Sequence, residues 1–128
     1  MSPKTVLVVD DHGDTREICN HLLTHFGYEV MLAVDGQDAV RVALGKVPDL
    51  ILLDFLMPHG DGVSTLREMQ GHDSLKAVPI VLYTAAATRA EELHAVEGLR
   101  RVLFKPVEVR ELLAVVRELI GESEELPA

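Results

Sequence analysis

The sequence predicts an α/β fold: a doubly wound, five-stranded parallel sheet with helices on both faces. Three observations predict it. Short apolar runs alternate five times with segments of helical period. Most runs are continuous and rich in Leu or β-branched residues, as in strands covered on both sides. Four of the runs end directly at a polar residue able to do chemistry. Alternating βα units imply right-handed crossovers and one parallel sheet.

The first predicted strand, Thr5–Val9, runs into the pair Asp10-Asp11. In the helix that follows, Ile18, Leu22 and Phe26 recur at i, i+4 and i+8 as a buried stripe. Asp14 and Glu17 resemble a capping pair there, and Gly27 stops the helix. The second strand, Glu29–Ala33, is the least apolar, and Glu29 suits an edge that must not recruit another chain. The second helix buries Ala39, Val40, Ala43 and Leu44 and ends at Gly45. The third strand, Leu50–Leu53, runs into Asp54. Val63, Leu66 and Met69 form the third stripe, ended by Gly71. The fourth strand, Ile80–Tyr83, runs into Thr84. Thr88 and Glu91 form a capping box for a fourth helix with few anchors, Ala90, Leu93 and Val96, ended by Gly98. So weakly anchored a helix can shift or fray cheaply. The fifth strand, Val102–Phe104, runs into Lys105. Leu112, Leu113, Val116, Leu119 and Ile120 form the last stripe, closed by Gly121.

Length and composition bound the reading. The 128 residues suffice for one domain, assigned to 1–121, with 122–128 an acidic tail expected to fray. Hydrophobic residues make up 48% and aromatics 4%, so the core must be aliphatic. A net charge of -9 argues against direct nucleic-acid binding. Cys19 is the single cysteine, which excludes an internal disulfide and disfavours a thiolate metal site. The N-terminus lacks the apolar stretch of a signal peptide, and no run reaches membrane-spanning length. A cytoplasmic protein is expected.

In a parallel sheet the four strand ends share one edge, where open α/β sheets place ligands. Asp10, Asp11 and Asp54 would crowd three carboxylates together there. Two such charges about 4 Å apart repel by roughly 4 kcal/mol at an effective dielectric near 20. Mg²⁺ is the natural compensation, binding through carboxylates and phosphate oxygens. Lys105 and Thr84 could each hold a phosphoryl oxygen, and a carboxylate can itself accept phosphoryl.

The residues Val8-Val9-Asp10-Asp11, Asp54-Phe55-Leu56-Met57-Pro58-His59-Gly60-Asp61-Gly62, Thr84-Ala85 and Lys105-Pro106 carry a resemblance. In order and spacing the chain resembles the receiver domain of two-component response regulators, in a stand-alone form, over about Lys4 to Ile120. The resemblance implies a flavodoxin-like sheet of order 2-1-3-4-5 with five helices. It implies that Asp54 accepts phosphoryl from a phosphohistidine of a sensor histidine kinase or histidine phosphotransfer protein. Asp11 would ligate Mg²⁺ directly and Asp10 through water, with Asp54 and the Leu56 backbone carbonyl completing the protein ligands. Thr84 and Lys105 would bind phosphoryl oxygens, and the Lys105–Pro106 bond would be cis. A downstream protein would read the change. The face of the fourth helix, fifth strand and fifth helix, where Arg89, Arg100, Arg101, Arg110 and Arg117 gather, would suit a dimer or a docked partner. The chain would catalyse only its own phosphoryl transfer and dephosphorylation.

Some positions depart from that pattern. Val102 stands where the family commonly has Tyr or Phe, so no ring swing is available there. Phe104 is expected on the other face and so is no substitute. Leu56 and Ala86 offer no side-chain hydrogen bond to an attacking water, which implies slow self-dephosphorylation. His12 and His59 read first as exposed loop residues, although either could border the site. His21 and His25 have zinc-site spacing but lack the glutamate of His-Glu-x-x-His, so surface histidines are expected. Two rival functions follow from the same residues. A phosphatase with an Asp nucleophile would need an acid at position 56, which is Leu56. A phosphorylation-independent interaction module would have no use for the complete Asp10, Asp11, Asp54, Thr84 and Lys105 set.

Overall fold

The computed structural model describes residues 3–54, 62–84, 99–106 and 108–121. Five strands are β1 Thr5–Val9, β2 Glu29–Ala33, β3 Leu50–Asp54, β4 Ile80–Thr84 and β5 Leu99–Phe104. Among the described residues the helices are α1 Gly13–His25, α2 Gly36–Gly45, α3 Gly62–Gln70 and α4 Val109–Ile120. The predicted fourth helix with Arg89, the loop holding Leu56 and His59, Ala86, the Val63 side chain and the acidic tail lie outside the described residues. The last predicted helix is α4.

The strands form one parallel sheet in the order β2-β1-β3-β4-β5. Strand alternation splits the core into two layers. Leu7, Val9, Ile51, Leu53, Ile80 and Leu82 face one side, with Ala39, Ala43, Leu66 and Met69 of α2 and α3. Val6, Val8, Leu52, Val81 and Leu103 face the other, with Leu23 of α1 and Leu112, Leu113 and Val116 of α4. Each such fully buried Leu or Val contributes about 1.5–3 kcal/mol by leaving water.

β2 is an edge strand as expected, and Lys46 Nζ lies 2.5 Å from Glu29 Oε1. β3 and β4 each run one residue further than predicted, so Asp54 and Thr84 are themselves strand residues. β5 begins three residues earlier, at Leu99.

Three helix details correct the sequence reading. Leu22 and Phe26 of the predicted α1 stripe pack partly buried against the core, but Ile18 is 64% exposed and Leu23 is the fully buried residue. Periodicity alone does not choose between the adjacent Leu22 and Leu23. Capping by Asp14 and Glu17 is also not seen, because α1 starts at Gly13 with His12 as its cap residue. Leu44 of α2 is 44% exposed while Ala39, Val40 and Ala43 are buried. The Asp35 side chain caps α2 instead, accepting from the Asp38 N–H at 2.8 Å. Gly27 does end α1, at φ 90, a backbone region that side chains resist. Phe104 shares strand parity with Val102 rather than opposing it, and at 42% exposed it does not replace a buried ring.

Candidate functional site

The sheet brings the predicted residues to one edge because four strands end there in the same direction. Asp10 follows β1, Asp54 and Thr84 close β3 and β4, and Lys105 follows β5. Asp10, Asp54 and Thr84 are buried. The Lys105 backbone N–H donates to the Thr84 carbonyl at 2.8 Å, fixing the base of its side chain. The Lys105–Pro106 bond is cis. Lys105 Nζ lies 3.3 Å from Asp54 Oδ2 and 3.7 Å from Asp10 Oδ2, a shared cation between two buried carboxylates.

Asp10 is held on both oxygens. Its Oδ1 accepts from the His12 backbone N–H at 2.8 Å, with His12 Nδ1 at 3.2 Å. Its Oδ2 accepts from the Tyr83 hydroxyl at 2.8 Å. Burial by itself pushes the Asp10 carboxyl up, but the His12 N–H, the Tyr83 hydroxyl and the Lys105 ammonium outweigh it. The group is held below the usual carboxylate range. Arg16 Nη1 donates to the Asp10 carbonyl at 2.7 Å, tying α1 to the same turn.

Asp11 is built differently. Its Oδ1 is buried and accepts no hydrogen bond, with His12 Nδ1 nearby at 3.2 Å. Ligand atoms of Asp10, Asp11, His12 and Asp54 all lie within 4.8 Å of one another. Oxygen-rich ligands this close, one of them a buried oxygen that accepts no hydrogen bond, fit a hard divalent cation. His21 and His25 do not join any such cluster among the described residues. His21 Nε2 instead faces Glu17 Oε2 at 3.4 Å. Of the arginine group, Arg101 pairs with Glu118, and Arg117 lies over the Phe26 ring.

Tyr83 is the site residue that the sequence reading overlooked. Strand alternation sends its ring to the α1 and α4 side of the sheet. The phenol is long enough to return its hydroxyl to the strand end, where it also lies 3.2 Å from the Val9 carbonyl. Lys105 Nζ sits 4.9 Å from the ring centroid. Burial, with the Asp10 charge beside it, drives the Tyr83 pKa strongly upward, so the hydroxyl stays a neutral donor. One signal was available. The chain has two tyrosines, and this one directly precedes Thr84 in an otherwise aliphatic strand. Behind Tyr83 lies a cavity of about 480 Å³ between α1 and α4, bordered by Ile18, Cys19, Leu103 and Val109. Burial first, and Asp10 second, push the Cys19 thiol up to about 11.

Comparison with known proteins agrees with this geometry. CheY4 of Vibrio cholerae superposes with a TM-score of 0.85 at 30% identity, covering 92% of this chain and 99% of that one. The receiver domain of sensor histidine kinase PA1611 from Pseudomonas aeruginosa PAO1 superposes with a TM-score of 0.85 at 31% identity. It covers 94% of this chain and 100% of that one, and was solved with magnesium in its active-site cleft. The phosphate regulon regulatory protein PhoB of Pseudomonas aeruginosa is 32% identical over 97% of this chain and 57% of its own length. The chain spans about half the length of several curated relatives it matches. Among the described residues no helix is long and apolar enough to cross a membrane. Residues 6–117 match the response regulator receiver domain, and the chain belongs to that family of two-component signalling proteins.

Proposed function

We propose that Asp54 is the phosphoacceptor of this receiver domain and that its phosphorylation changes what the chain binds. The observation that carries this is the shared position of Lys105 against Asp54 and Asp10, beside the open oxygen of Asp11. The donor would be a phosphohistidine on a sensor kinase or phosphotransfer protein in the cytoplasm. A carboxylate oxygen of Asp54 attacks phosphorus, the phosphorus–nitrogen bond breaks, and the imidazole leaves with the electron pair and takes up a proton.

Mg²⁺ is the cation we assign to the acidic cluster; when bound, it offsets negative charge on the phosphoryl oxygens and the carboxylates. Asp11 would ligate it directly through its open oxygen. Asp10, already accepting on both oxygens, would reach it through water. Asp54 and the Leu56 carbonyl would complete the protein ligands. Lys105 already stands 3.3 Å from Asp54, so its ammonium can pass from a carboxylate oxygen to a phosphoryl oxygen with little movement. Thr84, at the end of the neighbouring strand, would hold a second oxygen. The phosphoryl group adds about -1.5 to -2 charges at pH 7, and a downstream protein would read the rearrangement that follows.

Transfer from a labelled phosphohistidine donor tests this. Wild-type protein should take the label, and Asp54→Asn should take none. Equal labelling of both would refute Asp54 as the acceptor.

A further inference from the structure

Tyr83 has a geometry that filling the core does not explain. A buried phenol costs free energy unless its hydroxyl is bonded, and a Leu or Phe would fill the same place without that demand. The ring borders a cavity of about 480 Å³, so it is not there to close a gap. Its hydroxyl meets Val9 O at 3.2 Å and Asp10 Oδ2 at 2.8 Å, both at the end of β1. Asp10 is thereby gripped from two sides, by Tyr83 on Oδ2 and by the His12 N–H on Oδ1. Asp11, its neighbour, keeps a buried oxygen without a hydrogen bond. One acid is fixed by hydrogen bonds on both oxygens, and the other has only the His12 ring beside its buried oxygen, with Nδ1 at 3.2 Å.

We propose that Tyr83 is a positioning residue of the acidic site, orienting Asp10 from β4, two strands away on the same face of the sheet, so that a divalent cation can settle among Asp10, Asp11 and Asp54. The role rests on the metal site proposed above. Partners that orient metal-site carboxylates typically change affinity by 10–100-fold when removed. Tyr83→Phe keeps the ring and the cation–π contact and removes only the hydroxyl.

Calorimetric titration of the full chain with Mg²⁺ tests the proposal, alongside the amide NMR signal of His12, which reports how Asp10 is held. Tyr83→Phe should weaken Mg²⁺ binding about tenfold. It should also shift the His12 amide signal in metal-free protein. Tyr83→Met, a second way of deleting the hydroxyl, should do the same. In an Asp10→Asn background, Tyr83→Phe should cause no further loss. An Mg²⁺ affinity within about twofold of wild type in both Tyr83 variants would overturn the role, since removal of an orienting partner costs more than that. So would an equal loss in the Asp10→Asn background, because Tyr83 would then not act through Asp10. Absence of Mg²⁺ binding by wild-type protein would overturn the metal site itself and this role with it.

Discussion

Replacing Asp11 by Asn should make the metal-free protein more stable while abolishing most of its response to Mg²⁺. The carboxylates of Asp10, Asp11 and Asp54 offer oxygens within 4.8 Å of one another. At that separation each pair of charges repels by about 3 kcal/mol at an effective dielectric near 20. Lys105 offsets this for Asp54 and Asp10, at 3.3 and 3.7 Å. Asp11 is not among its ion-pair partners; its Oδ1 accepts no hydrogen bond and faces the exposed His12 ring, with Nδ1 at 3.2 Å. The Asp11 side chain is 27% exposed, so water screens much of the repulsion. A net gain of about 1 kcal/mol remains, which for a domain of this size raises Tm by about 3–5 °C. The assay is thermal unfolding at pH 8, in EDTA and in saturating Mg²⁺. In EDTA the variant should melt above wild type. In Mg²⁺ the wild type should gain the larger increment, because a ligand that binds only the folded state stabilises it. A variant that melts below wild type in EDTA, or gains as much from Mg²⁺, would refute the reasoning.

Other perturbations have equally definite signs. Lys105→Met strips the shared cation from two buried carboxylates, and should cost about 2 kcal/mol in metal-free protein while enlarging the stabilisation by Mg²⁺; paired melts with and without the ion check it. A Cβ at Gly36 would stand well inside contact distance of Thr65 Oγ1, on a short buried side chain. Gly36→Ala should cost about 1–3 kcal/mol in urea unfolding, and Thr65→Ala should recover part of it. The Cys19 thiol, held up to about 11 by burial, is almost wholly protonated at pH 8. It should label with a maleimide roughly a hundredfold more slowly than an ordinary thiol, accelerating about tenfold per pH unit until its pKa is reached. Labelling at the speed of a free thiol would show that the burial is wrong.

The strand ends were legible in the sequence because an apolar run that stops at an acid, a hydroxyl or an ammonium marks both a strand and its exit. Asp10, Asp54, Thr84 and Lys105 therefore fell where expected. Which α1 residue is fully buried was not legible. Leu22 and Leu23 serve the periodic pattern equally well, and only packing against the sheet makes Leu23 the buried one. Nor could the α1 cap be read, since Asp14 and Glu17 imitate a capping pair two residues inside the real start. Tyr83 escaped for a different reason. Alternation counts it among the core side chains of the α1 and α4 layer, and its partnership with Asp10 depends on a long side chain reaching past β3 to the end of β1. Val102 remains where the family commonly places an aromatic ring. It packs against the α2 and α3 layer as an ordinary aliphatic side chain.

The central claim is that Asp54 takes a phosphoryl group, and intact-mass analysis after incubation with a small phosphodonor and Mg²⁺ tests it most directly. One phosphoryl adduct should appear, map to Asp54, require Mg²⁺ and be absent from Asp54→Asn. No adduct with any donor, or an adduct that persists in Asp54→Asn, would contradict the account.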